Sequence, residues 1–345
     1  MATAASEPED ICANCGKLGG DNGVHLKKCS GCLLVKYCGP DCQRAHIPSH
    51  KTPCQKHAAK LHQEKLFADT PEPEECPVCL LRMPFEQEKI CYRACCGKLI
   101  CHGCSGTTMK IGVESGFEHA TGFGDIDFKK MLDHPCPFCR ASFSIKIEDT
   151  LKELQKRVDL GDRMAMYHLG IKLVKPKGSL QPNASKAREL LLKSAQLGYP
   201  LANLSVGMFH YDGHYPSVFL QDKKKARHYF ERGAIGGDPV ARAYLAEIEL
   251  DRYQFKTAYR HAMMSASCGY KLALDNVLNG CKAGVVTKDE YERTLRAYKK
   301  SCDELNSEHR LAAEQESSGF DSMDDSSQMS EVLNMMDRMR NMGRR

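Results

Sequence analysis

Sixteen of the nineteen cysteines in this 345-residue chain lie between Cys12 and Cys139; only Cys268, Cys281 and Cys302 fall beyond. Crowding of this kind has two physical explanations, a disulfide scaffold or bound metal. Residues 1–10, MATAASEPED, carry neither the basic nor the apolar stretch of a secretory leader, and no apolar run is long enough to span a membrane. The expectation is a cytoplasmic and/or nuclear chain with no membrane contact, in which thiols stay reduced and metal is the better explanation.

The spacing agrees. Residues 12–54 read C-x2-C, C-x2-C, C-x3-C and H-x3-C: Cys12/Cys15, Cys29/Cys32, Cys38/Cys42 and His50/Cys54. A C-x2-C turn offers two thiolates to one ion, and H-x3-C puts both ligands on one side of a helical turn. Four pairs make two tetrahedral zinc sites. A second cluster begins at Cys76-Pro-Val-Cys79, continues through Cys91, Cys95, Cys96, Cys101 and Cys104, and ends at Cys136-Pro-Phe-Cys139-Arg140. Nine cysteines compete there for eight places. Cys95 is preferred to Cys91 beside Cys96, although adjacent thiolates on one ion are geometrically awkward. His102, His119 and His134 are outside candidates. Four zinc ions are expected, two per cluster. The formal charge of +5 counts thiols as neutral, and loading the sites brings the chain to roughly −2. With no base-reading helix and no aromatic-basic patch, nucleic acid is not an expected partner.

Beyond Ile147 the cysteines thin out and a helical pattern repeats. KARELLLKSAQLG, KARHYFERGAIGG and TAYRHAMMSASCG end at Gly198, Gly237 and Gly269 and share alanines at fixed offsets: Ala187/Ala195, Ala226/Ala234 and Ala258/Ala266. Each reads as a helix closed by a glycine that takes the left-handed conformation. The segments that follow match as well, at Ala165–Gly170, Ala202–Gly207 and Ala241–Ala246. One unit is a pair of short antiparallel helices that must stack on its neighbours to bury its apolar faces.

Three resemblances follow. Cys29-x2-Cys32-x4-Tyr37-Cys38-x3-Cys42-Gln43-x2-His46-x3-His50-x3-Cys54 resembles a MYND-type zinc finger. That likeness implies interleaved pairing, with Cys12, Cys15, Cys38 and Cys42 on one zinc and Cys29, Cys32, His50 and Cys54 on the other. It also implies binding of short, often proline-rich, peptides. Ile47 stands where the family often has Trp, so the peptide surface differs. His46 reads as a residue that packs beside the ligands, and His57 as a solvated helix residue. The second cluster resembles an all-cysteine RING finger with a long insertion. The likeness implies Cys76, Cys79, Cys101 and Cys104 on one zinc and Cys95, Cys96, Cys136 and Cys139 on the other. It further implies that Val78, Pro137 and Arg140 contact a ubiquitin-conjugating enzyme. The glycines, the Lys-Ala pairs, Leu169-Gly170 and Val206-Gly207…Tyr211-Asp-Gly213 resemble Sel1-like repeats, relatives of the tetratricopeptide repeats, which implies an α-solenoid that binds protein ligands on its concave face.

The expected fold class is therefore small zinc-stabilised modules, a MYND finger and a RING-like cross-brace, followed by an all-α solenoid of Sel1-like repeats. The expected domains are a disordered 1–10, the MYND-type finger at 11–54, a helix and linker at 55–75, the RING-like finger at 76–140 and the repeats at 147–301. The tail, 302–345, is expected to be largely disordered; Val332, Met335, Met336, Met339 and Met342 recur there at helical spacing. No catalytic residue is identified. The expected function is a zinc-binding protein–protein interaction adaptor, with a RING-type E3 ubiquitin ligase as the alternative.

Overall fold

The computed structural model describes residues 10–20, 24–106, 135–141, 147–176, 180–308 and 310–311. It divides into two compact units, Met1–Asp69 and Thr70–Arg345.

The first unit pairs two short antiparallel strands, β1 (Lys27–Lys28) and β2 (Lys36–Tyr37), ahead of one long helix, α1 (Pro40–Leu66). Pro40 opens α1 at a position whose N–H would be unpaired anyway, and Asp41 complements the helix dipole. The helix expected within 55–75 is the second half of α1, which continues through Pro48 and Pro53. Each proline removes one helical hydrogen bond. Of its 27 residues only His50 and Leu66 are buried. An apolar face therefore does not hold α1 in place. The core of this unit consists of Cys12, Cys29, Cys32 and Tyr37. So small a core leaves the unit dependent on whatever its cysteines bind.

The second unit begins with a hairpin, β3 (Ile90–Arg93) and β4 (Lys98–Cys101), in the register Ile90↔Cys101 to Arg93↔Lys98. Ile100 and Met83 pack there with Cys76, Cys101 and Cys104. Among the described residues nine helices follow: α2 (Ile147–Asp159), α3 (Arg163–Val174), α4 (Ala184–Gln196), α5 (Pro200–Asp212), α6 (Lys223–Ile235), α7 (Pro239–Asp251), α8 (Phe255–Ser267), α9 (Lys271–Lys282) and α10 (Lys288–Leu305). Asp162, Asn183, Asp222 and Asp238 cap α3, α4, α6 and α7 through their side chains, and Thr287 with Glu290 forms a capping box on α10. The turn glycines Gly198, Gly237 and Gly269 all take positive φ, as the repeat pattern requires. The shared alanines are almost fully buried, which lets each pair close tightly. Gly207 marks one close approach: a Cβ there would lie 2.6 Å from the Phe230 ring. The helix pairs stack as a solenoid. The expected repeat boundary at 301 falls inside α10. Arg310, in the expected disordered tail, is 5% exposed. The methionines at 335–342 lie outside the described residues.

Candidate metal centres

In the first unit three local devices aim the ligands. The chain leaves each C-x2-C turn through a left-handed residue: Gly16 at φ 74° after Cys15 and Leu33 at φ 61° after Cys32. The turns are closed by Gly16 N–H to Cys12 O at 2.9 Å and Leu33 N–H to Cys29 O at 2.9 Å. Helix α1 supplies Cys42, His50 and Cys54, and Cys38 lies just before it. Two sets result, Cys12/Cys15/Cys38/Cys42 and Cys29/Cys32/His50/Cys54, and within each the candidate ligand atoms lie within 4.8 Å of one another. His46 supports the second set, accepting or donating at Tyr37 Oη (3.1 Å) and stacking on His50 with ring centroids 5.3 Å apart. Ile47 is 48% exposed.

The second unit repeats the device. Leu80 (φ 57°) follows Cys79, and Arg140 (φ 59°) follows Cys139. Cys101 ends β4 and Cys104 lies in the helical turn at 102–106. The structure gathers Cys76, Cys79, Cys101 and Cys104 into a third set and Cys95, Cys96, Cys136 and Cys139 into a fourth. Cys95, not Cys91, joins the fourth set. Cys91 lies in β3 opposite Ile100 and accepts from Ser105 Oγ at 3.4 Å. The adjacent thiols Cys95 and Cys96 share one site because they ride the β3–β4 turn, which Gly97 N–H closes onto Arg93 O at 2.7 Å. His102 is exposed; His119 and His134 lie outside the described residues. Both units thus interleave their pairs, first with third and second with fourth.

The spacing fits zinc. Four sulfurs around a tetrahedral zinc stand about 3.8 Å apart, and a sulfur and an imidazole nitrogen about 3.6 Å apart. The Sγ separations are 3.6 Å for Cys15–Cys38, 3.7 Å for Cys29–Cys54, 3.8 Å for Cys76–Cys104 and for Cys79–Cys101, and 3.7 Å for Cys96–Cys136. Cys32 Sγ lies 3.3 Å from His50 Nε2. All these distances are far above the length of a disulfide bond, and no disulfide joins the described cysteines. Bound there, zinc supplies a structural cross-link and no open coordination position.

The thiols are unequal in a regular way. Burial pushes up the first cysteine of each knuckle, but backbone N–H groups from the turn outweigh it. Cys12 and Cys29 are held at about 6, and Cys76 and Cys136 at about 7. Their neighbours go the other way. Cys38 is pushed up to about 12 by hydrogen bonds to Cys42 and Cys15, Cys54 to about 11 chiefly by burial, and Cys95 and Cys104 upward chiefly by burial. Four acids in one small volume cannot all ionise alone. A dication at the centre removes that conflict.

Two features were not visible in the sequence. Three knuckles set a non-glycine residue, Leu33, Leu80 or Arg140, in the left-handed region. Two arginines from the helical region, Arg157 and Arg310, touch the third and fourth sets; neither belongs to a motif.

Comparison with known families places two of these regions. Residues 12–54 match the MYND finger, and residues 163–199 and 200–238 match the Sel1 repeat. This is a chain with an N-terminal MYND finger and C-terminal Sel1 repeats, and further cysteine clusters between them. The helix pairing continues past residue 238 through α7–α10. Among solved structures, the Sel1 repeat protein from Oxalobacter formigenes is 22% identical with TM-score 0.39, over 48% of this chain and 68% of its own. The protective antigen c5321 of uropathogenic Escherichia coli, which has an SLR fold, is 22% identical with TM-score 0.39, over 45% of this chain and 34% of its own. No curated protein matches the chain.

Proposed function

We propose that this chain is a zinc-organised adaptor for protein–protein interaction, working in the reducing cytoplasm or nucleus with four structural zinc ions. The observation that carries this reading is the presence of two families that generally bind other proteins on one chain. In the MYND finger, Leu33, Leu34 and Ile47, close in sequence to ligands of the second set, are each about half exposed, apolar side chains suited to a short proline-containing peptide. Titrating the full chain with a panel of such peptides tests this. Micromolar binding that is lost in Leu34→Asp and Ile47→Asp, with zinc content intact, is the expected result. A panel that gives no binding, or binding indifferent to both substitutions, overturns it.

One observation favours a second reading, a RING-type E3 ubiquitin ligase. Val78 is 43% exposed, Arg140 is exposed and Pro137 half-buried, so the residues that would meet a conjugating enzyme are open to solvent. Such ligases act by holding a ubiquitin thioester in a reactive pose rather than by covalent chemistry. A reconstituted reaction with activating and conjugating enzymes decides it. Ubiquitin chains that disappear with Val78→Ala or Arg140→Ala make the chain a ligase. Silence across a broad conjugating-enzyme panel leaves the adaptor alone.

A further inference from the structure

The second zinc module is seated on the helix pairs of its own unit, and the seating is built around its two metal sets. At the third set, Arg310 is buried and its guanidinium reaches into one junction. Its Nη2 lies 3.5 Å from Cys79 Sγ and 3.3 Å from Leu81 O, and its Nη1 lies 2.8 Å from Arg82 O and 2.9 Å from Leu305 O. Leu305 is the last residue of α10, so one guanidinium bonds both the zinc knuckle and the end of the helix stack. Arg82 reaches back, donating to Ser301 Oγ at 2.5 Å and lying 3.6 Å from Glu304.

The fourth set has a matching contact at the other end of the stack. Arg157, on α2, donates from Nε to Ala94 O (3.2 Å) and from Nη2 to Cys95 O (3.0 Å). These carbonyls belong to the turn that presents Cys95 and Cys96. Gly97 lets the turn come this close: it has φ 74°, and a Cβ there would meet Asp162 Oδ2 at 2.9 Å and Arg157 at 3.3 Å. Tyr92 adds a hydrogen bond to Asp162 (2.7 Å) and stacks on His168 with centroids 4.8 Å apart. Between the two ends, Gln87 accepts from Tyr167 Oη at 2.8 Å and Phe85 packs edge-on against Tyr270.

We propose that Arg157 and Arg310 couple zinc occupancy of the second module to its seating on the helix pairs. The coupling is geometric and reciprocal. Zinc at the third set would fix the knuckle whose Cys79 Sγ and Leu81 and Arg82 carbonyls Arg310 bonds, and zinc at the fourth would fix the turn whose Ala94 and Cys95 carbonyls Arg157 bonds. Zinc therefore favours the docked arrangement, and docking favours zinc by the same factor. Arg310 acts directly on a thiolate; Arg157 acts by fixing the backbone that orients two ligands. Both are positioning residues. This inference rests on zinc binding by the second module and is independent of whether that module is a ligase or an adaptor surface.

The test uses the full zinc-loaded chain and has two arms. The first follows alkylation of each cysteine during chelation, mapped by peptide mass spectrometry, in the wild type, Arg157→Gln and Arg310→Gln. Arg310→Gln is expected to speed labelling at Cys79 and Cys104, and Arg157→Gln at Cys95 and Cys139, each by about ten- to a hundredfold. Labelling at Cys15 and Cys38, in the other unit, should be unchanged, and Arg310→Lys should recover part of the loss. Rates that overlay the wild type in both variants overturn the proposal. The second arm needs no variant. Stripping zinc from the wild type should raise deuterium uptake at 302–311 and at 155–170, while 226–266 stays protected. Unchanged protection at both ends overturns it equally.

Discussion

The two cross-braced zinc modules use the same knuckle and differ in what surrounds it. In the first unit the core is three cysteines and Tyr37, and α1 buries two of its residues. In the second, Ile100 of the hairpin packs with Met83 in a small core, and the hairpin rests on a stack of helix pairs with cores of their own. The same interleaved pairing therefore carries a different share of the fold in each. In the first unit zinc is nearly the whole of the stabilisation. In the second it is one support among several.

The largest effect that separates them is metal removal. Structural zinc is worth on the order of 10–16 kcal/mol per site, more than the first unit's core can replace. Stripping zinc should abolish hydrogen-exchange protection throughout residues 10–69 while helices α4–α8 remain protected, with far-UV circular dichroism retaining most of its helical signal. Equal loss in both units would break the comparison. Overpacking the helix pairs should do the reverse. Gly207→Ala pushes a methyl into the Phe230 ring and should cost about 1–3 kcal/mol, read as a lower Tm of the helical transition with zinc content unchanged.

A smaller effect belongs to Asp238, which caps α7 from a buried position. Burial pushes its carboxyl up to about 7 despite N–H bonds from Ala241 and Val240. A group whose folded value is raised gives stability that is present below its unfolded value and lost as pH rises through about 7. Asp238→Asn keeps a capping oxygen without the charge. Its Tm relative to the wild type should rise from pH 5 to pH 8 by ~2–4 °C, for about 1 kcal/mol. An effect of similar size is expected at the knuckles. Leu33 and Leu80 hold left-handed conformations that cost a branched residue roughly 1–2 kcal/mol and that glycine adopts freely. Leu33→Gly and Leu80→Gly should therefore leave zinc retention equal to or better than wild type under chelation. Faster zinc loss would show that the leucines hold the knuckles together.

What the sequence made legible follows from distance along the chain. The knuckles are local, so Cys12/Cys15, Cys29/Cys32, Cys76/Cys79 and Cys136/Cys139 could be paired by spacing alone. The repeat glycines and alanines were legible because three copies shared their offsets. The choice between Cys91 and Cys95 was harder, because it depends on a turn at Ala94–Gly97 that a run of cysteines does not announce. The continuity of α1 through Pro48 and Pro53 was not readable, since prolines argue for a break and ligands on successive turns hold the helix together. Arg157 and Arg310 were invisible for a different reason: each is a single residue whose partner lies more than sixty positions away. The contacts that residues 85–92 make with Tyr167, His168 and Tyr270 of the helical region were invisible for the same reason.

The central claim is that four interleaved sets each hold one zinc. Native mass spectrometry of the refolded, zinc-saturated chain tests it most directly. The account predicts four zinc ions per chain, falling to three in Cys15→Ser and to three in Cys139→Ser, with Cys91→Ser unchanged at four. Two ions or fewer in the wild type, or a loss of zinc in Cys91→Ser but not in Cys139→Ser, would contradict it.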